Sequence, residues 1–284
     1  MRLTPRDHDR SNAGLEYVYP VVSRRAAGVS IGINLNPNNA CNWRCVYCQV
    51  PGLTFGNPPQ IDLGQLEREL SGLLEDVVHG DFMEQRVPAE ARRLNDLAFS
   101  GNGEPTSSPQ FAEAVALAGK VLEQFDLAGK LRLVLITNGT LVQRPAVQEG
   151  LRRMVPLAGE VWYKLDSATV EGQLRMNSSR AGPAGLERAR SNLVLAASLC
   201  PTWVQTMVLD WRGSSLEGTE RRAYLDLLAS LVRECVPLRG VLLYGLARPS
   251  CQPEAPELAA VAPQHLLDLA RAIEDLGLPV RVTP

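Results

Sequence analysis

The sequence predicts an α/β fold on a parallel sheet, either rolled toward a barrel or open. Three observations predict it. Apolar runs of strand length alternate with apolar stripes of helical period along the 284 residues, giving about six strand–helix units. Such regular alternation calls for parallel strands joined by right-handed crossovers. The most distinctive motifs all fall just after predicted strands, the end at which parallel α/β sheets and barrels place their sites. No Gly-, Ser- or Pro-rich linker divides the chain, so residues 1–284 are expected to form one domain, with 1–28 as an extended lead-in and 29–284 as the core.

The elements follow in order. Residues 1–27 are polar and Arg-rich, with Pro5 and Pro20. Val29 to Leu35 alternates apolar residues with Ser30, Gly32 and Asn34, a period-two strand that Asn36-Pro37-Asn38-Asn39 breaks. Leucines at helical spacing predict a helix from Leu63 to about Val78, and residues 79–94 are mixed and charged. Strands are expected at Asp96–Ser100, Leu131–Ile136, Glu160–Asp166, Thr202–Leu209 and Val241–Tyr244, with a short tail at Pro279–Val282. Helices are expected at Gln110–Phe125, Gln143–Val155, Ala184–Leu199, Glu217–Cys235 and Ala262–Leu276.

Composition narrows the function classes. The chain is 45% hydrophobic and 21% charged with a net charge of −2, which suits a globular domain and lacks the basic excess of a nucleic-acid binder. Arg2, Arg6, Arg10, Arg24, Arg25 and Arg44 cluster early and read as a solvated arm. The charged N-terminus lacks the apolar core of a signal peptide, and no apolar run approaches the roughly 18 residues of a membrane span. Six cysteines in a long chain, three of them clustered, suggest a metal site in a reducing cytoplasm rather than a disulfide framework.

That cluster is Cys41-Asn42-Trp43-Arg44-Cys45-Val46-Tyr47-Cys48, spaced C-x₃-C-x₂-C just after the first core strand. No fourth Cys or His lies near it, which is poor for structural zinc with its four closed ligands. Three thiolates suit a four-iron, four-sulfur cluster with one iron left open. Gly101-Asn102-Gly103-Glu104-Pro105 follows the next strand. Its glycines let the backbone approach a ligand closely, and Glu104 can accept from an ammonium. Lys164 is one of only three lysines and stands in an apolar strand, where a charge requires a partner. Period-two geometry puts it on one face with Asp166. The two serve a cofactor at the sheet's mouth or form a buried ion pair in its wall. Thr137-Asn138-Gly139 reads as an ordinary strand-to-helix turn.

The cysteine motif, with Tyr47 before its last Cys, resembles the signature of the radical S-adenosylmethionine (SAM) superfamily. The resemblance implies a partial (βα)₆ TIM-like barrel. It implies a 4Fe–4S cluster on Cys41, Cys45 and Cys48, whose open iron binds the amino and carboxylate groups of SAM. Reductive cleavage would then give methionine and a 5′-deoxyadenosyl radical that abstracts hydrogen. Tyr47 would pack near the adenine; its plainer role is a loop anchor. Gly101, Asn102, Gly103 and Glu104 resemble the superfamily's Gly-Gly-Glu-Pro motif, which contacts the methionine amino group, Asn102 being a departure. Asn138 resembles a ribose-side turn. Lys164 and Asp166 would face a carboxylate and a hydroxyl or ammonium. A reductant such as flavodoxin or ferredoxin is implied.

Within the superfamily, Tyr19–Arg25, Ser30–Leu35, Val46–Gln49, Tyr163–Asp166 and Arg175–Asn177 resemble bacterial proteins of the wyosine-synthase-like group. Archaeal wyosine synthases carry further cysteines ahead of the motif. None precedes Cys41 here, so a tRNA substrate does not carry over. The substrate stays open among small molecule, peptide and RNA. The alternatives are a non-catalytic iron–sulfur electron-transfer or sensor protein and a zinc-binding interaction module. Cys200 and Cys235 read as small core residues, and Cys251 as able to face the cavity. His8, His79 and His265 receive no role.

Overall fold

The computed structural model describes residues 3–4, 14–23 and 28–284. Of the early arginines, Arg2, Arg6, Arg10, Arg24 and Arg25 lie outside the described residues. The chain packs as two compact units whose segments interleave along the sequence. The first takes the described parts of Met1–Asn42 with Gly56–Ile136 and Arg144–Glu160; the second takes Trp43–Phe55, Thr137–Gln143 and Val161–Pro284.

In the first unit, β1 (Val18–Ser23) runs antiparallel to β2 (Gly28–Asn34). The sequence reading placed only a lead-in where β1 stands, because Pro20 masks its alternation. Pro20 faces no obstacle there, since among the described residues β1 pairs with β2 alone, as an edge strand that tolerates proline. Tyr19 is paired with Gly32, and a Cβ at residue 32 would overlap the Tyr19 ring. β2 continues into the two-residue β3 (Ala40–Cys41) through a turn. Helix α1 (Leu63–Val78) is capped by Asp62, whose carboxylate accepts from Gln65 N at 2.9 Å. It buries Leu66, Leu70, Leu73, Leu74 and Val77, the stripe the sequence predicted. A short α2 (Phe82–Arg86) follows. β5 (Leu94–Ser100) lies parallel to β2 on one side and to β6 (Arg132–Thr137) on the other. Helices α3 (Phe111–Gln124) and α4 (Pro145–Met154) complete the unit, and Phe111 meets Phe99 of β5 edge-on at 5.7 Å.

The second unit opens with the two-residue β4 (Thr54–Phe55). Its parallel strands run in the order β7 (Gly159–Lys164), β8 (Thr202–Trp211), β9 (Leu238–Gly245) and β11 (Val280–Thr283). β10 (Leu258–Ala260) pairs antiparallel with the end of β8. Helices α5 (Val170–Asn177), α6 (Gly182–Leu199), α7 (Gly218–Arg233) and α8 (Pro263–Glu274) form the connections. Hydrogen bonds show which face α6 and α7 cover. The Tyr163 hydroxyl donates to Ala189 O of α6 at 2.8 Å, and Thr206 of β8 shares a 2.7 Å bond with Tyr224 of α7. The alternate residues of β8, Trp203, Gln205, Met207 and Leu209, therefore point to the other face.

Two expectations are corrected. The strand expected at Glu160–Asp166 ends at Lys164, so Asp166 lies beyond it rather than on a shared strand face. Cys235, expected in the core, is exposed. It follows α7 with φ +55°, a left-handed position that ends the helix and turns the side chain out. Cys200 is buried as expected.

Candidate metal centre

In the second unit the loop from Trp43 to Val50 is anchored from several elements. Val46 N donates to Met176 O at 2.9 Å and Arg44 N to Asn177 O at 3.3 Å, tying the loop to the end of α5. Residues 250–252 hold its carbonyls. Ser250 Oγ donates to Val46 O at 2.6 Å and Cys48 O at 3.1 Å, and Gln252 Nε2 donates to Val50 O at 3.2 Å. Cys251 N donates to Cys48 O at 2.9 Å. The Cys251 thiol, expected to be able to face a cavity, is exposed; its backbone serves the loop instead. Arg44 makes a two-pronged pair with Glu254 at 2.6 and 2.7 Å, and that bond holds the Glu254 carboxyl below its ordinary range. Val46, Tyr47 and Cys45 pack with Met176, Met207 and Leu209 in one apolar cluster.

Cys45, Tyr47, Lys164 and Asp166 come together here. Cys45 Sγ accepts from Asn177 Nδ2 at 3.3 Å and lies 3.8 Å from Lys164 Nζ. Burial pushes the Cys45 thiol up, while Lys164 and the Asn177 N–H pull the other way. The Lys164 ammonium stands 4.7 Å over the Tyr47 ring. Desolvation opposes its charge, but the Cys45 thiolate, Tyr244, Asp166 and Cys48 outweigh it and raise Lys164. Lys164 is thus drawn to the cysteine loop rather than paired with Asp166. The buried Asp166 carboxylate accepts from the Tyr47 hydroxyl, from Asn177 Nδ2 at 2.8 Å and from Met207 N at 3.0 Å. Burial, then the Asp166 charge, keeps the Tyr47 phenol protonated far above its usual range.

Asn138 Oδ1, also in this unit, accepts from Thr140 N and Oγ1 at 3.1 and 2.8 Å, closing the turn after β6. Gly139 has φ +71°, and a Cβ there would overlap the Tyr163 ring.

The first unit holds Cys41 and the glycine loop. Gly101 has φ +124°, with an added Cβ 2.9 Å from Asn34 Cα. Asn34 Oδ1 accepts from Asn102 N at 3.0 Å and Asn36 N at 3.1 Å, and Asn102 Nδ2 donates to Asn39 Oδ1 at 2.7 Å. A Cβ on Gly103 would overlap Ala40 O and lie 2.6 Å from Asn36 Nδ2. The loop thus packs directly on the residue before Cys41. Glu104 is buried and caps the turn after it, its Oε1 accepting from Thr106 N at 3.1 Å and Thr106 Oγ1 at 2.6 Å.

Sequence reasoning assigned no role to Asn34, Asn36, Asn177, Ser250 or Gln252. Asn34 and Asn177 gave a signal only as members of the Ser30–Leu35 and Arg175–Asn177 stretches.

The donor chemistry can be tested against an iron–sulfur group. None of Cys41, Cys45 and Cys48 is tied up in a disulfide among the described residues. Asn177 Oδ1, beside Cys45, is buried with no hydrogen-bond partner among the described residues. Among the described residues no three His, Cys, Asp or Glu side chains converge as ligands of one metal ion. Thiols outside any disulfide, with an N–H and an ammonium at Cys45, fit a thiolate-ligated cluster.

No protein-family model matches the chain. The UPF0026 protein of Methanocaldococcus jannaschii is 32% identical over 149 residues, 52% of this chain and 39% of that protein, so the chain spans about two fifths of this curated relative. Among solved structures, TYW1 with a lysine–pyruvate adduct bound aligns over 96% of this chain and 79% of its own, with TM-score 0.56 and 15% identity. A radical SAM methyltransferase from Sphaerobacter thermophilus aligns over 90% of this chain and 66% of its own, with TM-score 0.57 and 14% identity. Native anSMEcpe with bound AdoMet aligns over 88% of this chain and 63% of its own, with TM-score 0.52 and 14% identity. These likenesses establish the fold: the chain has the α/β partial-barrel fold of radical SAM enzymes, the class its strand–helix alternation and its cysteine motif predict. No helix among the described residues is long and apolar enough to cross a membrane.

Proposed function

We propose that this chain is a radical SAM enzyme, with Cys41, Cys45 and Cys48 ligating a 4Fe–4S cluster and SAM completing the coordination of the open iron. The observation that carries the reading is the Cys45 thiol, met by Asn177 Nδ2 at 3.3 Å and Lys164 Nζ at 3.8 Å beside the Tyr47–Asp166 pair. A buried thiolate requires such donors. When bound, the cluster and SAM supply reductive cleavage to methionine and a 5′-deoxyadenosyl radical that abstracts hydrogen from substrate.

The chain's own residues bind, orient and exclude water. Lys164 and Asn177 stabilise the Cys45 thiolate. Asp166 fixes the Tyr47 ring and Asn177 together, so we assign it an orienting role beside the cofactor. The cluster of Val46, Tyr47, Met176, Met207 and Leu209 keeps water from the loop. The Gly101–Glu104 backbone, held by Asn34, is assigned to the methionine end of SAM, with Glu104 its acceptor, and Asn138 to the ribose side. The fold and the Gly-Asn-Gly-Glu sequence support these assignments. We treat residues 29–284 as the functional core of a single domain, working in a reducing cytoplasm with a flavodoxin- or ferredoxin-type reductant. The substrate class is open among small molecule, peptide and RNA.

The test is SAM cleavage by anaerobically reconstituted protein under dithionite, followed as 5′-deoxyadenosine and methionine. Equimolar formation of both is expected. A stable cluster with no cleavage would instead favour an iron–sulfur electron-transfer or sensor protein.

A further inference from the structure

We propose that Gln205 is a substrate-recognition residue that reads a neutral, planar donor–acceptor edge: a carboxamide or the lactam edge of a nucleobase. The inference rests on the radical SAM reading of the cysteine loop. Gln205 stands in the middle of β8 and is 1% exposed, yet neither Nε2 nor Oε1 has a hydrogen-bond partner among the described residues. Buried amides are almost always paired, because an unpaired donor and acceptor give up water for nothing. An amide left open at both ends is therefore a feature to be explained by function.

Its position gives that explanation. Gln205 is the register partner of Lys164 on β7 and of Leu242 on β9. Paired residues of a sheet share a face, so Gln205 lies on the face where the Lys164 ammonium meets Cys45. Two residues on, Met207 packs against Tyr47 and Cys45 in the apolar cluster. Two residues back, Trp203 is also buried, with its indole Nε1 unpartnered among the described residues. The Arg281 guanidinium covers that ring at 4.2 Å, and Gly240 leaves room for its edge. One strand thus carries two unused donors and one unused acceptor in a row that leads up to the cysteine loop.

The unpaired groups also define the ligand's chemistry. Gln205 is uncharged and offers one acceptor and one donor in a plane, the pattern that pairs with an amide or a base edge in two hydrogen bonds. A carboxylate would leave Oε1 facing like charge. The Trp203 N–H adds a need for one further acceptor on the ligand.

The experiment uses anaerobically reconstituted holoprotein with SAM bound, and ligand-observed NMR with three probes: guanosine for the lactam edge, propionamide for the carboxamide, and propionate as the control. At least one amide-edge probe is expected to bind wild type, and propionate is not. Gln205→Met should weaken that probe tenfold or more, while Trp203→Phe, which keeps the ring against Arg281, should weaken it less. Gln205→Met should at the same time raise the melting temperature of the protein, since it removes two unpaired polar atoms at nearly constant volume. A Gln205 with a merely structural role predicts the opposite shift. Equal probe binding by Gln205→Met, a lowered melting temperature with binding retained, or no probe binding to a wild type that still binds SAM would each overturn the inference. Wild type that fails to bind SAM would overturn the reading of the site, and this inference with it.

Discussion

Replacing Asp166 with alanine should destabilise the protein by roughly 3–6 kcal/mol, and the figure follows from counting what its carboxylate holds. Oδ2 accepts from the Tyr47 hydroxyl and from Asn177 Nδ2 at 2.8 Å, and Oδ1 accepts from Met207 N at 3.0 Å. The residue is 3% exposed, so water does not replace it freely. Each donor left buried and unpaired costs about 1–3 kcal/mol. Relief of the carboxylate's own desolvation and reorientation of Tyr47 and Asn177 recover part of that sum. Asp166→Asn should fall between, at about 1–3 kcal/mol, because its carbonyl still serves Met207 N while its amide opposes Asn177 Nδ2. Urea denaturation measures both, and the alanine variant should melt on the order of 10 °C below wild type. Iron content after reconstitution should fall with the same ranking, since Tyr47 and Asn177 both adjoin Cys45. An Asp166→Ala protein within about 1 kcal/mol of wild type, with full iron, would refute this account of how the loop is held.

Other substitutions separate the parts of the site. Gly103→Ala drives a Cβ into Ala40 O and should cost roughly 1–3 kcal/mol by overpacking, with weaker SAM binding in calorimetry. Gly139→Ala combines a left-handed φ of +71° with overlap on Tyr163, and thermal melting should show a loss at least as large. Ser250→Ala removes the hydroxyl that holds Val46 O and Cys48 O; a loss of about 1 kcal/mol and slower cluster loading are expected, read as iron bound against time. Cys251→Ser leaves an exposed position and a backbone bond untouched, so iron per chain should equal wild type; a shortfall would make Cys251 a ligand.

The parts of the fold legible in the sequence were those whose burial is one-sided and local. The leucine stripe of α1 and the apolar run of β6 announce themselves by period. Helix α5 did not, because its eight residues include Gly172 and buried polar Gln173 and Asn177, which blur any apolar stripe. β1 was hidden by Pro20, and β10 is only three residues long. The site divides the same way. Three thiols close in sequence are visible before any fold is known. Asn177 reaches Cys45 across 132 positions, and Ser250 reaches Val46 across 204, and such pairings leave no trace in local spacing. Cys235 misled because a cysteine at the end of an apolar helix looks internal. The left-handed turn that exposes it is a property of the backbone, not of the residue type.

The central claim is that SAM occupies the open iron of a cluster held by Cys41, Cys45 and Cys48. Electron paramagnetic resonance of the dithionite-reduced, reconstituted protein tests it most directly. The account predicts a reduced 4Fe–4S signal that changes shape when SAM is added, and that is absent from Cys45→Ala. A signal indifferent to SAM, or an intact four-iron cluster in Cys45→Ala, would contradict it.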